Sequence, residues 1–128
     1  MARVLALIPD LLFGYRVQGM LLVAGHEVEL ISGESALAAR LGSLASAPAE
    51  VLVVDLTNDD LYGPAIVEAL AGSGALGELR TLGFYSHVDA SARETAERAG
   101  FDIVVPRSRM AREGGALVTR LSGGDRGV

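Results

Sequence analysis

A hydroxyl, an imidazole and a carboxylate stand together in the run Ser86-His87-Val88-Asp89. Serine, histidine and aspartate are the parts of a hydrolytic triad. Neighbours on an extended strand point to opposite faces, however, so these three do not form one. His87 reads instead as a loop histidine, near enough to Asp55 to be a pH-sensitive group. The run GSGALG, residues 72–77, matches the G-x-G-x-x-G pattern letter for letter. A dinucleotide fingerprint needs a strand before it and a helix after it, and the order here is the reverse. Absences narrow the chemistry further. There is no cysteine, which excludes disulfides, thiolate zinc sites and thiol nucleophiles. All eleven basic residues are arginine, which excludes a P-loop lysine and Schiff-base chemistry. His26 and His87 are the only histidines, too few for a conventional transition-metal cluster.

The elements that must position the remaining candidates follow from hydropathy. Half of the 128 residues are hydrophobic and 21% are charged, enough apolar material for one buried core. No apolar run approaches the roughly 20 residues needed to cross a membrane. The N-terminus reads as a first strand rather than a signal peptide, which points to the cytosol. Short β-branched runs at 3–8, 26–31, 51–55, 80–85 and 102–105 alternate with helical stretches near 11–24, 34–45, 63–71, 90–99 and 109–121. The first, third and fifth runs are almost wholly apolar, as strands buried on both faces should be. HEVELI alternates, with His26, Glu27 and Glu29 on one side, and suits an edge. Ser91 and Glu94 suggest a capping box, and Gly25, Gly72 and Gly100 suggest helix ends. Gly114 and Gly115 cast the last helix as interrupted.

Five βα units in succession imply an α/β fold: a flavodoxin-like (βα)5 three-layer sandwich with a parallel sheet in the order 2-1-3-4-5. Residues 1–121 form this domain and 122–128 a flexible tail. In such a fold the functional residues gather at strand C-termini, here Pro9–Asp10, Asp55–Asp60, Ser86–Asp89 and Pro106–Arg109. A small-molecule or nucleotide-binding α/β protein would use the same ends. A cobalamin domain shares the architecture, but it needs a histidine where Leu12 stands.

Net charge is −5, which argues against nucleic acid as the main partner. The charge is uneven, about −7 over residues 1–79 and +2 over residues 80–128. Such asymmetry can orient a partner.

Over residues 3–121 the chain resembles the receiver domain of two-component response regulators. Asp55 closes the third strand and Gly63 follows eight residues later; Asp10 ends the first strand and Ser86 the fourth. AGHEVEL and AERAGFD resemble the α1–β2 and α4–β5 junctions of that family. The resemblance implies a phospho-accepting role for Asp55, a Mg²⁺ site from Asp10, Asp55 and the Thr57 carbonyl, and a switch hydroxyl at Ser86. Phosphoryl transfer to a carboxylate also needs a fixed cation on the phosphoryl oxygens. The family's strand-five lysine is missing, and either Arg107 or Pro106 takes its place. An arginine has different reach and a forked geometry. Pro9 replaces the first acid of the metal-binding pair. The reading is therefore an atypical, single-domain receiver, not an enzyme, with weak Mg²⁺ binding at most. It would signal by docking to a protein, without stable aspartyl phosphorylation. A phosphorylatable receiver using Asp55 with Mg²⁺ is the alternative, and a small-molecule-binding domain a more distant one.

The first helix supplies the docking surface in this reading. At about 100° per residue, Phe13, Val17, Met20 and Ala24 form one stripe, the expected core face. Leu11, Tyr15 and Leu22 form a second apolar stripe nearly opposite, where charge normally meets water. That face suits a kinase, another signalling component or a second copy of the chain; cover by the C-terminal segment is the other possibility.

Overall fold

Strands with no polar face belong in the middle of a sheet, and β1 (Arg3–Leu7), β3 (Val51–Asp55) and β4 (Arg80–Tyr85) take that place. The computed structural model describes residues 2–57, 61–86 and 90–124. Its five strands are all parallel, in the order β2-β1-β3-β4-β5, with β2 (Glu27–Ile31) and β5 (Ile103–Pro106) at the edges. The apolar run at 102–105 takes the edge position that this order gives it, and it is only partly buried rather than covered on both faces.

Alternation along the strands divides the core in two. Val4, Ala6, Val53, Leu82 and Phe84 face α1 (Leu11–Val23) and α5 (Arg107–Thr119). Leu5, Leu7, Leu52 and Val54 face α2 (Glu34–Leu41), α3 (Gly63–Ser73) and α4 (Ala90–Ala99). The result is the expected three-layer sandwich. No helix among the described residues is long and apolar enough to cross a membrane.

Several local expectations are corrected. Helix α5 begins at Arg107 and runs unbroken through Gly114 and Gly115, then continues as a wide turn over Arg120–Gly124. The glycines are there for packing. A Cβ on Gly114 would lie 2.6 Å from Met20 Cε, and one on Gly115 would lie 2.8 Å from Ala24 Cβ. They let α1 and α5 approach closely. Helix α3 ends at Gly74, whose φ of +80° is the left-handed cap, so Gly72 lies inside the helix. Helix α4 starts before Ser91, which therefore sits in the first turn rather than capping it. The buried face of α1 is Phe13, Gly14, Val17 and Leu21, with Met20 packed beside it; it shares Phe13 and Val17 with the expected stripe but is rotated from it toward Leu21, and Ala24 is exposed.

His26 is buried, not on a polar strand face. Its Nδ1 accepts the Ala2 amide at 3.1 Å, and its Nε2 lies 3.0 Å from Thr119 Oγ1. The Thr119 hydroxyl donates to the Gly115 carbonyl, so Nε2 carries the proton and donates to Thr119. One imidazole thus ties the start of the chain to the end of α5.

The edge strand β2 is guarded by charge, as exposed edges usually are. Arg40 reaches Glu29 at 2.8 Å and 3.0 Å, and Arg3 reaches it at 3.2 Å. The hydrogen-bonded Arg40 guanidinium holds the Glu29 carboxyl below its ordinary value; burial opposes this and Arg3 adds to it. A carboxylate lowered by folding stabilises above its unfolded value of about 4.3, and that contribution is lost as pH falls through the lowered folded value. The stability gap between the wild type and Glu29→Gln should therefore be constant above about pH 5 and close progressively below about pH 4. Urea titrations at a series of pH values measure it; a gap independent of pH down to acid unfolding would refute the linkage.

Candidate functional site

Every strand points its C-terminal end to the same edge, so Asp55 and the starts of α1 and α5 lie there. Asp55 is the last residue of β3 and only 2% exposed. Its Oδ1 accepts the Thr57 amide at 2.7 Å and the Thr57 hydroxyl at 2.5 Å. The carboxylate is thus bound into its own loop. Gly63 is required just beyond: a Cβ there would lie 2.8 Å from Leu56 Cδ2 and 2.9 Å from Val54 Cγ1. Only glycine lets α3 start so close against β3.

Asp10 follows β1 and caps α1, its Oδ1 accepting the Phe13 amide at 3.2 Å. Its Oδ2 lies 3.6 Å from Arg107 Nη2. The Arg107 guanidinium also sits 4.0 Å above the Phe13 ring centroid, and Phe13 packs on Phe84 at 5.1 Å. Pro106 is the last ladder residue of β5, opposite Tyr85. Arg107 follows as the first residue of α5 and lines a cleft together with Ser86.

The structure brings the five expected residues into one connected group. Thr57 bonds Asp55; Thr57, Ser86 and Arg107 line a common cleft of about 790 Å³; and Arg107 pairs with Asp10. Arg16, Ser108 and Arg112 also line that cleft, and the sequence reading missed all three. The available signal was the run of arginines at 107, 109 and 112. His87 and Asp89 lie outside the described residues.

A Mg²⁺ ion needs about six oxygen ligands in near-octahedral array. Here Asp10 is engaged by an arginine and a helix cap, and one oxygen of Asp55 is taken twice by Thr57. No group of three or more acidic or histidine side chains stands ready for a metal among the described residues. Among the described residues, Asp10 and Asp55 would have to give up these partners to hold such an ion.

The outer face of α1 is apolar. Leu11, Leu12, Tyr15, Leu22 and Val23 are 55–91% exposed. Leu12 and Val23 escaped the sequence reading because the helix is rotated from the inferred phase. Exposed Tyr62, just before α3, is a further large side chain at this end of the sheet.

No protein-family model matches the sequence, and no curated protein matches it. Solved structures do match in fold. FixJ-N superposes with a TM-score of 0.81 at 17% identity, covering 100% of this chain and 98% of that one. The receiver domain of the Francisella response regulator 1452 gives 0.78 at 13% identity, covering 95% and 97%. The Vibrio cholerae chemotaxis protein CheY4 gives 0.75 at 20% identity, covering 94% and 98%. The chain has the fold of response-regulator receiver domains.

Proposed function

We propose that the protein is a signalling module of the receiver type. It works by docking to a protein partner and does not hold a stable aspartyl phosphate. The partner is a kinase, another component of a signalling complex, or a second copy of the chain. The observation that carries this reading is the Arg107–Asp10 pair at 3.6 Å. It places a positive charge beside the one remaining acid of the metal-binding position. The cation that would steady a phosphoryl group is thereby tied elsewhere. Asp55 is a poor nucleophile for the same transfer, being buried and hydrogen-bonded through Oδ1 by Thr57. Mg²⁺ binds weakly in this reading, and the module is not an enzyme.

The alternative is a phosphorylatable receiver using Asp55 with Mg²⁺. Incubation with a small phosphodonor and Mg²⁺, followed by intact mass, separates the two. The expected spectrum is that of the unmodified chain. A stoichiometric gain of one phosphoryl group, absent in Asp55→Asn, would overturn the proposal.

A further inference from the structure

Glycine inside a helix is less stable than alanine there, unless something must come close to it. Of the four glycines within α1 and α5, three are accounted for by packing. A Cβ on Gly14 would touch the Leu30 side chain at 3.6 Å, and Gly114 and Gly115 seat Met20 and Ala24. Gly19 is the exception. Among the described residues no atom lies within 4 Å of where its Cβ would be, and its φ is not positive. It is exposed, on the outer side of α1. At about 100° per residue it falls between two apolar rows, Leu11, Tyr15 and Leu22 on one side and Leu12 and Val23 on the other. The outer face of α1 is thus an apolar ridge with a gap that nothing in the folded chain fills.

We propose that a second copy of the chain covers this face, the two α1 helices packing antiparallel about a two-fold axis with Tyr15 of each copy over Gly19 of the other. The inference rests on the docking reading of α1 and names its occupant. What selects a second copy is the spacing of the face itself. A two-fold contact that pairs residue i of one copy with j of the other also pairs j with i. Turned end for end about its midpoint at Val17, α1 sets Leu11 against Leu22, Leu12 against Val23 and Tyr15 against Gly19. The largest side chain of the face meets its gap, twice in each pair of copies. Charge selects no other partner, because Arg16 is the only charged residue within α1 and falls at the edge of the apolar rows. The area is also adequate. Leu11, Leu12, Tyr15, Leu22 and Val23 are 55–91% exposed, which leaves on the order of 600 Å² of side chain on each copy, against about 800 Å² per partner in a stable interface. Arg16 and Gln18, flanking the rows, supply the rest as a polar rim.

Sedimentation of the full chain over a range of concentrations should show a reversible dimer. Gly19→Leu fills the gap and should raise the dimer dissociation constant about a hundredfold, as overpacking does. A face that is only generally adhesive would associate more tightly with the added leucine. Melting at a dilution where the wild type is monomeric should be unchanged or raised, because the position is open and leucine favours helix. Cross-linking reads the orientation, since the chain has no cysteine of its own. Oxidising a mixture of Leu11→Cys and Leu22→Cys chains, one of them mass-labelled, should give mainly the mixed dimer, and either chain alone should give little. A wild type that stays monomeric at every concentration overturns the inference and leaves the docking reading to a different protein. Dimerisation of Gly19→Leu as tight as that of the wild type overturns it too, as does Leu11→Cys linking to itself as readily as to Leu22→Cys. The docking reading fails separately, when Tyr15→Glu combined with Leu22→Glu alters no association.

Discussion

Replacing Phe84 by alanine is expected to cost about 3–5 kcal/mol of stability, the largest loss at any single position considered. Phe84 is fully buried on the central strand β4, where its ring meets Phe13 at 5.1 Å and an interplanar angle of 55°. The loss has two parts, the transferred ring surface with the cavity left behind, and an aromatic pair worth about 0.5–1.5 kcal/mol. Domains of this size are stable by only about 5–15 kcal/mol, so the variant should unfold far earlier in urea with an unchanged slope. Phe84→Leu keeps much of the volume and should cost clearly less. The position also matters for the site. Phe84 supports Phe13, Phe13 supports Arg107, and Arg107 holds Asp10. The column connects the core to the cleft, so the alanine variant should also loosen Arg107. A cost below about 1 kcal/mol would show that the ring is not the support described.

The sheet was legible in the sequence because burial on both faces leaves strands almost wholly apolar, as in VLALI and VLVV. Strand order followed from the number of βα units. Strand β5 reads as apolar as the central strands although that order places it at the edge, because helices α4 and α5 cover it. Helix α5 was misread for a related reason. Gly114 and Gly115 look like breakers in one dimension and are points of contact with Met20 and Ala24 in three. The phase of α1 was uncertain because both of its sides are apolar, and hydropathy cannot choose between a core stripe and an outer one.

At the site, Asp55 and Thr57 are close in sequence, and their bond follows from a tight turn. The Arg107–Asp10 pair joins opposite ends of the chain and has no local signature. Arg16 and Arg112 belong to no motif; their convergence comes from the packing of α1 against α5. Ordered motifs thus gave the positions of Asp10, Asp55, Thr57 and Ser86, while tertiary packing decided the charge around them. A site that reads as a damaged metal centre in sequence is, in three dimensions, an arginine-rich cleft braced by an aromatic column.

The same Asp10 that pairs with Arg107 caps α1, and the exposed apolar face begins at the next residue, Leu11. The cleft and that face are therefore mechanically close. If the face is the docking surface, Tyr15→Glu combined with Leu22→Glu should abolish association while leaving thermal stability nearly unchanged. Burying one leucine stabilises by roughly 1.5–3 kcal/mol, and a tyrosine is a common interface anchor. Losing both and burying two carboxylates should weaken an interface by a thousandfold or more, a factor of ten for each 1.4 kcal/mol or so. The folded monomer has little to lose, because Tyr15 and Leu22 are 57% and 55% exposed in it. Surface changes of this kind usually move stability by less than about 0.5 kcal/mol. Sedimentation over a range of concentrations reads self-association, and retention of an interacting protein on the immobilised chain reads a heterologous complex. The lysine pair Tyr15→Lys with Leu22→Lys should behave alike, which separates lost apolar contact from charge repulsion. Unfolding of both pairs would mean that the stripe is core. Unchanged association in both would mean that this face meets only water.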